Sequence, residues 1–393
     1  MKRYSFEDLK FKDHKESVRV FFLGNYYFDI DKSELERIGS YEVRENDLLF
    51  SGKERKMEHI INNGFDKLYN SYTGRRTIYI HRNSGIPLIG TSYFGIVDRN
   101  TSLIEIRPNT GCNLSCIYCS VNEGGKKAVD YVVEPEYLLQ ELEKVIGFKQ
   151  EEDIEVHINP QGEPLLYKPL AGLIKGIKGI DAVKRISIDT NGVALTEKRI
   201  DEMIESGVTQ FNISIDSLDE NKAEEISGAK YPVNRIKEIA KYISERTGII
   251  IAPLYLPGFN DDDIEKIIEF AKGINSKVGV QNFLPYKQGK NPVKGVTMDD
   301  FYKKLRGLEE KHGIKLVYNS SDFGIRPTKR LPIPFNKDEV VDCEVACPGR
   351  FENEVIGVTK ERAIEIKDYK KGQKIKAKIL RRKHNIFRAT HVG

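Results

Sequence analysis

The sequence predicts an α/β protein centred on a partial (β/α)6 TIM-like barrel, with an N-terminal α/β extension and a small C-terminal β domain. Three observations carry this reading. Between residues 101 and 320, six apolar strand-like runs are each followed by an amphipathic helix. Before them, short apolar runs mix with helical patches, and after them come four or five short β-like segments. An open doubly wound sheet is the alternative arrangement of the same six units. In either, cofactors sit at the carboxyl ends of the strands.

In order along the chain, residues 1–100 alternate strands such as "VRVFFLG" and "RTIYIHR" with helical patches such as "KMEHIINNGFDKLYNSY". "SLIEIRP" is the first strand of the 101–320 region, and a cysteine-rich loop follows it. The next helix places Leu138, Leu142 and Val145 on one face, the spacing of a helix with one apolar side. Strand "DIEVHINP" precedes a helix near 165–177, and "KRISIDT" precedes one carrying Ile200, Met203 and Ile204. "TQFNISID" leads to Ile236, Ile239, Ala240 and Ile243, and "GIIIAPL" to Ile264, Ile267, Ile268 and Ala271. "KVGVQNFLP" and "TMDDFYKKLRGLEEKH" form the sixth unit. Residues 321–350 are expected to be a linker, proline-rich in "IRPTKRLPIPF". Residues 351–393 are expected to form the small barrel-like β domain.

The chain has 393 residues, 39% of them hydrophobic and 31% charged, a composition that excludes a disordered or membrane-embedded protein. The polar start "MKRYSFEDLKFKDHKES" has no apolar signal core and no run is long enough to span a bilayer, so a cytoplasmic location is expected. Charge is uneven. From residue 359 onward there are twelve Lys/Arg against three Asp/Glu, whereas the first 358 residues hold 51 against 56. A basic tail on a mildly acidic body favours an anionic partner, either a nucleic acid or a phosphate-bearing cofactor.

Three of the five cysteines, Cys112, Cys116 and Cys119, fall within "GCNLSCIYCS". A fourth thiol in the loop would close a zinc site or complete a four-cysteine cluster. Three thiols leave one iron of a [4Fe–4S] cube open for an outside ligand. That vacancy serves a cofactor activated by contact with iron.

The spacing resembles the CxxxCxφC signature of the radical SAM superfamily, with Tyr118 as the aromatic residue, and implies a cluster whose open iron binds S-adenosylmethionine. Further motifs of that superfamily follow in order, each after an expected strand. "QGEP" at 161–164 resembles its GGEP element, implying that Glu163 and the Gly162 backbone hold the methionine amino group. "IDTNG" at 188–192 resembles the strand facing the sulfonium, with Asn191 as the contact. "SIDS" at 214–217 resembles the ribose-binding strand, implying roles for Ser214 and Asp216. "APLYLPGFND" at 252–261 resembles the adenine loop, including Pro253. Such enzymes split the sulfonium with one electron and remove hydrogen from an unactivated carbon.

Residues 78–124 and "QNFLPYKQGKNP" at 281–292 also resemble the methanogenesis marker protein ten family. The resemblance implies a cobalamin-dependent methyltransferase acting on an arginine δ-carbon in the methyl-coenzyme M reductase α subunit. One S-adenosylmethionine would serve the radical and a second would remethylate the cobalamin, with an electron donor and no membrane involved. It further implies that Tyr118 ligates the open iron when S-adenosylmethionine is absent, and that cobalamin sits against the C-terminal β domain. No DxHxxG element is present, which excludes histidine ligation through that motif. The family's mononuclear iron loop would have only Cys343 and Cys347 here, too few for a four-thiolate site.

Two rivals remain at this level. A basic β-barrel after a radical SAM domain also resembles the arrangement of tRNA methylthiotransferases, but residues 1–111 contain no cysteine for their second cluster. A noncatalytic iron–sulfur or zinc-stabilised binding module would need a fourth fixed ligand. It would also leave "GEP", "TNG" and "SID" unexplained.

Overall fold

Each successive strand of the central sheet is added beside its predecessor on the same side, so the chain winds in one direction. The computed structural model describes all residues except 1, 5, 7, 45, 122–127 and 287–288. Residues 122–124 and 287–288 of the two resemblance stretches therefore lie outside the described residues. Strand β1 (Gly95–Asp98) runs antiparallel to β2 (Leu103–Arg107). Parallel strands β3 (Ile154–Ile158), β4 (Val183–Thr190), β5 (Gln210–Ile213), β6 (Gly248–Ile251) and β7 (Lys277–Val278) follow in strict sequence. A doubly wound sheet would reverse direction at a switch point, and this order has none. The α/β class expected from the sequence holds.

Helices α1 (Pro135–Lys149), α2 (Leu170–Lys178), α3 (Glu197–Ser206), α4 (Glu220–Ser227), α5 (Val233–Ser244) and α6 (Asp261–Gly273) fill the crossovers, and α7 (Met298–His312) follows the last strand. Right-handed crossovers in a singly wound sheet put all the helices on one face. The strands alternate accordingly. Ile104, Ile106, Val156, Ile158, Ile186, Ile188, Phe211 and Ile213 are buried apolar residues. Between them, Glu105, His157, Ser187, Asp189 and Asn212 fall on the opposite face, because successive strand residues point to opposite sides.

Ahead of the sheet, residues 2–70 form a four-stranded antiparallel sheet, a three-stranded one and the helices Lys32–Ile38 and Glu54–Phe65. The expected boundary at residue 100 is corrected to before Gly95, since β1 hydrogen-bonds along β2.

The C-terminal segment forms a closed five-stranded barrel of β8 (Val340–Pro348), β9 (Val355–Thr359), β10 (Arg362–Lys367), β11 (Lys374–Arg381) and β12 (Arg388–Val392). Closure needs a fifth strand, and the segment expected to be linker supplies it. The linker of 321–350 is therefore corrected: only the proline-rich part is irregular, and β8 joins the domain expected to begin at 351.

A buried carboxylate ties these parts together. Asp130 accepts from Asn70 Nδ2 at 3.2 Å, Thr73 Oγ1 at 2.6 Å and Thr110 Oγ1 at 3.2 Å. It also pairs with Arg75 at 3.4 Å and Arg350 at 3.2 Å. The N-terminal region, the foot of the cysteine loop and the barrel thus share one acidic group. No helix among the described residues is long and apolar enough to cross a membrane.

Candidate active site at the strand ends

The cysteine loop is held at both ends by backbone. Thr110–Gly111 pairs in parallel with Gln161–Gly162, and Glu163 N donates to Gly111 O at 2.9 Å. A Cβ on Gly162 would lie 2.2 Å from Gly111 O, so glycine is required there by close backbone approach. On the far side, Ser115 N donates to Ser227 O and Ile117 N to Ile226 O, both at 2.9 Å. Lys290 Nζ clamps Ser115 through O at 2.8 Å and Oγ at 2.9 Å. These bonds leave Cys112, Cys116 and Cys119 partly buried and outside any disulfide. All three open onto a cavity of about 840 Å³, and Cys112 and Cys116 also line a smaller one of about 230 Å³.

The smaller cavity collects most of the expected S-adenosylmethionine contacts: Gly162, Glu163, Asn191, Ser214 and Asp216. Glu163 is buried and accepts from Leu165 N at 3.0 Å, Thr190 Oγ1 at 2.7 Å and Asn191 N at 2.9 Å. Burial nevertheless pushes its carboxyl up to about 7. Asn191 Nδ2 reaches Asn113 Oδ1 at 2.8 Å and Cys112 Sγ at 3.7 Å, bringing "TNG" against the cysteine loop. Pro253 is buried and is not on this wall; its carbonyl accepts from Gln281 N at 2.8 Å, which brings Gln281 into the cavity.

Tyr118 donates its hydroxyl to Asp216 Oδ2 at 2.5 Å, while Leu254 N donates to Asp216 Oδ1 at 2.8 Å. Burial holds the phenol neutral and pushes the Asp216 carboxyl up to about 6. Burial likewise pushes the Cys116 thiol up to about 12, so only coordination to a metal would deprotonate it at neutral pH.

Cys343 and Cys347 do not come together with these residues. Both are buried on β8, where the register against β9 shifts between Val345 and Cys347. That shift turns Cys343 into the barrel core and Cys347 into the main core. Their assignment as two ligands of one iron loop is corrected accordingly. Among the described residues, no three His, Cys, Asp or Glu side chains are grouped as ligands of a single metal ion.

Three residues escaped the sequence reading. Asp189 lines the smaller cavity, held by Asn212 Nδ2 at 2.8 Å and His157 Nε2 at 3.3 Å. Tyr231 donates to the carbonyls of Asn191 at 3.1 Å and Ser214 at 2.7 Å, stapling two strand ends. The polar alternation Arg185–Ser187–Asp189 in "KRISIDT" is the signal that marks Asp189. Tyr231 and Lys290 leave no local signal.

The radical SAM superfamily model matches residues 106–271. An uncharacterized protein of Methanocaldococcus jannaschii is 38% identical over 357 residues, covering 82% of each chain. The chain belongs to the radical SAM superfamily. The GTP 3',8-cyclase of Peptoclostridium acidaminophilum is 28% identical, over 54% of this chain and 65% of that enzyme. The structure of Streptococcus suis SuiB bound to S-adenosylmethionine aligns with a TM-score of 0.43 at 15% identity, over 80% of this chain and 72% of that one.

The site's donors fit the [4Fe–4S] cluster and S-adenosylmethionine that a radical SAM protein carries. Three separate thiols open onto shared space, and the Gln161 Oε1 acceptor, lining the same cavity, is buried with no partner among the described residues. An ammonium group bound beside Glu163 in the smaller cavity would favour its ionised form, so protons compete with it. Affinity for S-adenosylmethionine should then fall about tenfold between pH 8 and pH 6, as Glu163 protonates through about 7. Calorimetric titration of the reconstituted protein at the two pH values checks this. Glu163→Gln should flatten the dependence, and an unchanged slope in that variant would assign it elsewhere.

Proposed function

We propose that this radical SAM enzyme is a cobalamin-dependent methyltransferase that C-methylates an arginine δ-carbon of the methyl-coenzyme M reductase α subunit. One observation supports this above the others: the cysteine loop and the C-terminal barrel wall the same cavity of about 840 Å³. A second cofactor held there would lie beside the first. Phe283, Leu284, Tyr286 and Phe351 give that cavity the apolar and aromatic surface a corrin ring needs, while Lys367 and Arg388 come from the barrel. No histidine lines it among the described residues, in keeping with the missing DxHxxG element.

When bound, the cluster and S-adenosylmethionine supply a carbon radical able to remove hydrogen, and cobalamin supplies the methyl group. The chain's own residues orient and enclose. Glu163 would take the amino end of S-adenosylmethionine, and Asp216, held by Tyr118 on the same cavity wall, would offer its carboxylate to the ribose hydroxyls. Asp189, its side chain one-third exposed and braced by His157, offers a guanidinium a carboxylate partner within the smaller cavity.

The test is anaerobic reconstitution with cobalamin, then incubation with a reductant, S-adenosylmethionine and a peptide containing the target arginine. A peptide heavier by one methyl group, formed together with 5'-deoxyadenosine, is the expected result. Production of 5'-deoxyadenosine with no methyl transfer to any arginine peptide would remove the methyltransferase reading and leave the superfamily chemistry intact.

A further inference from the structure

We infer that the cavity between the cysteine loop and the barrel is a binding site for a phosphate group, with Arg381 its principal contact and Arg99 and Arg388 at its flanks. The inference stands on the charge of the wall, not on the corrinoid reading. Among the described residues, five cations, Arg99, Arg107, Lys367, Arg381 and Arg388, line the cavity, and no Asp or Glu does. The acidic groups that answer them lie behind the wall. Glu105 pairs with Arg99 and, at 2.8 Å, with Arg107. Glu365 accepts from Arg388 at 2.8 Å and is also engaged by Ser92, with Glu354 beyond it on Tyr93.

Arg381 is different. Among the described residues its side chain makes no hydrogen bond and no ion pair, although it is half-buried at the end of β11. Arginines held close to other arginines without a carboxylate are costly unless a ligand neutralises them. The neighbourhood shows that imbalance. Burial, then Arg388, holds the Arg381 guanidinium below its usual range. His384, three residues on, is kept neutral by burial and then by Arg99, Lys383 and Arg381. Its Nδ1 is buried with no partner among the described residues. A guanidinium fork matches two phosphate oxygens, and several converging forks in a concave, partly dry site raise the local preference for an anion.

The cavity of about 840 Å³ is larger than a phosphate requires, so the phosphate belongs to a larger ligand. Two sources share this chemistry: the phosphodiester of a corrinoid's nucleotide loop, and a phosphorylated small molecule. Calorimetric titration separates them, using full-length reconstituted wild type, Arg381→Ala and Lys376→Ala, a control on the exposed face of the same strand. The probes are inorganic pyrophosphate, hydroxocobalamin, and cobinamide, which lacks the phosphate.

Pyrophosphate should bind wild type and the Lys376 variant alike, and Arg381→Ala about tenfold or more weakly. If a corrinoid is the source, the same variant weakens hydroxocobalamin and leaves cobinamide unchanged. If a small molecule is the source, only pyrophosphate responds. The inference is overturned if Arg381→Ala binds pyrophosphate and hydroxocobalamin as wild type does. It is equally overturned if wild type takes neither millimolar pyrophosphate nor hydroxocobalamin in preference to cobinamide. Wild type that binds pyrophosphate but no corrinoid would support this site and sink the cobalamin reading instead.

Discussion

Replacing Cys116 by serine should strip the protein of its iron–sulfur absorbance and bring 5'-deoxyadenosine production to background. Cys116 is one of only three thiols opening onto the site, so its loss leaves two. Loss of an outer-shell partner alone costs a metal site about 10–100-fold. Loss of a ligand from a set of three should cost more than about a hundredfold. The fold itself should tolerate the change, since the loop is pinned by backbone bonds and by Lys290 rather than by the thiol. Cys343→Ser supplies the contrast. That residue sits in the barrel core, so its replacement should lower stability by about 1–3 kcal/mol through a buried hydroxyl and leave iron content unchanged. Iron and sulfide analysis of both variants checks the pair. Iron loss from Cys343→Ser equal to that from Cys116→Ser would restore the iron loop rejected above.

Asp130→Ala should have the largest effect on stability, a loss of about 3–5 kcal/mol. It would leave Arg75 and Arg350, both fully or nearly fully buried, without their shared carboxylate. Three other donors, Asn70, Thr73 and Thr110, would lose the same acceptor. The damage should reach the cluster, because Thr110 lies two residues before Cys112 and its hydroxyl also accepts from Tyr131 N at 2.8 Å. Thermal unfolding followed by circular dichroism measures the first effect, and iron retention after gel filtration the second. A midpoint within roughly 2 °C of wild type would show that the network is peripheral to the fold.

Much of this site was open to a reader of the chain. The thiol spacing is local, so "GCNLSCIYC" announces three ligands for a cluster without any knowledge of the fold. "QGEP" and "TNG" follow strands whose apolar alternation is equally local, and Glu163 and Asn191 do meet the loop. Cys343 and Cys347 misled because two nearby thiols in one segment look like partners, whereas a register shift of the strand separates them. Asp189 was half visible, in the alternation of β4. The basic tail hinted at an anionic partner, but the place of the phosphate site was invisible, since Arg99 and Arg381 stand more than 280 residues apart in sequence.

By itself the sequence determined the succession of six strand–helix units, the exposure of three thiols in one loop and membership of the class that such thiols define. Each of these is written in the periodicity or spacing of neighbouring residues, which burial and metal geometry constrain directly. Only the tertiary structure decided that β8 from the expected linker closes the barrel, that the barrel faces the cysteine loop, and that five cations among the described residues meet across the gap. Those facts depend on long-range packing, where side chains distant in the chain share a wall and no local pattern records it.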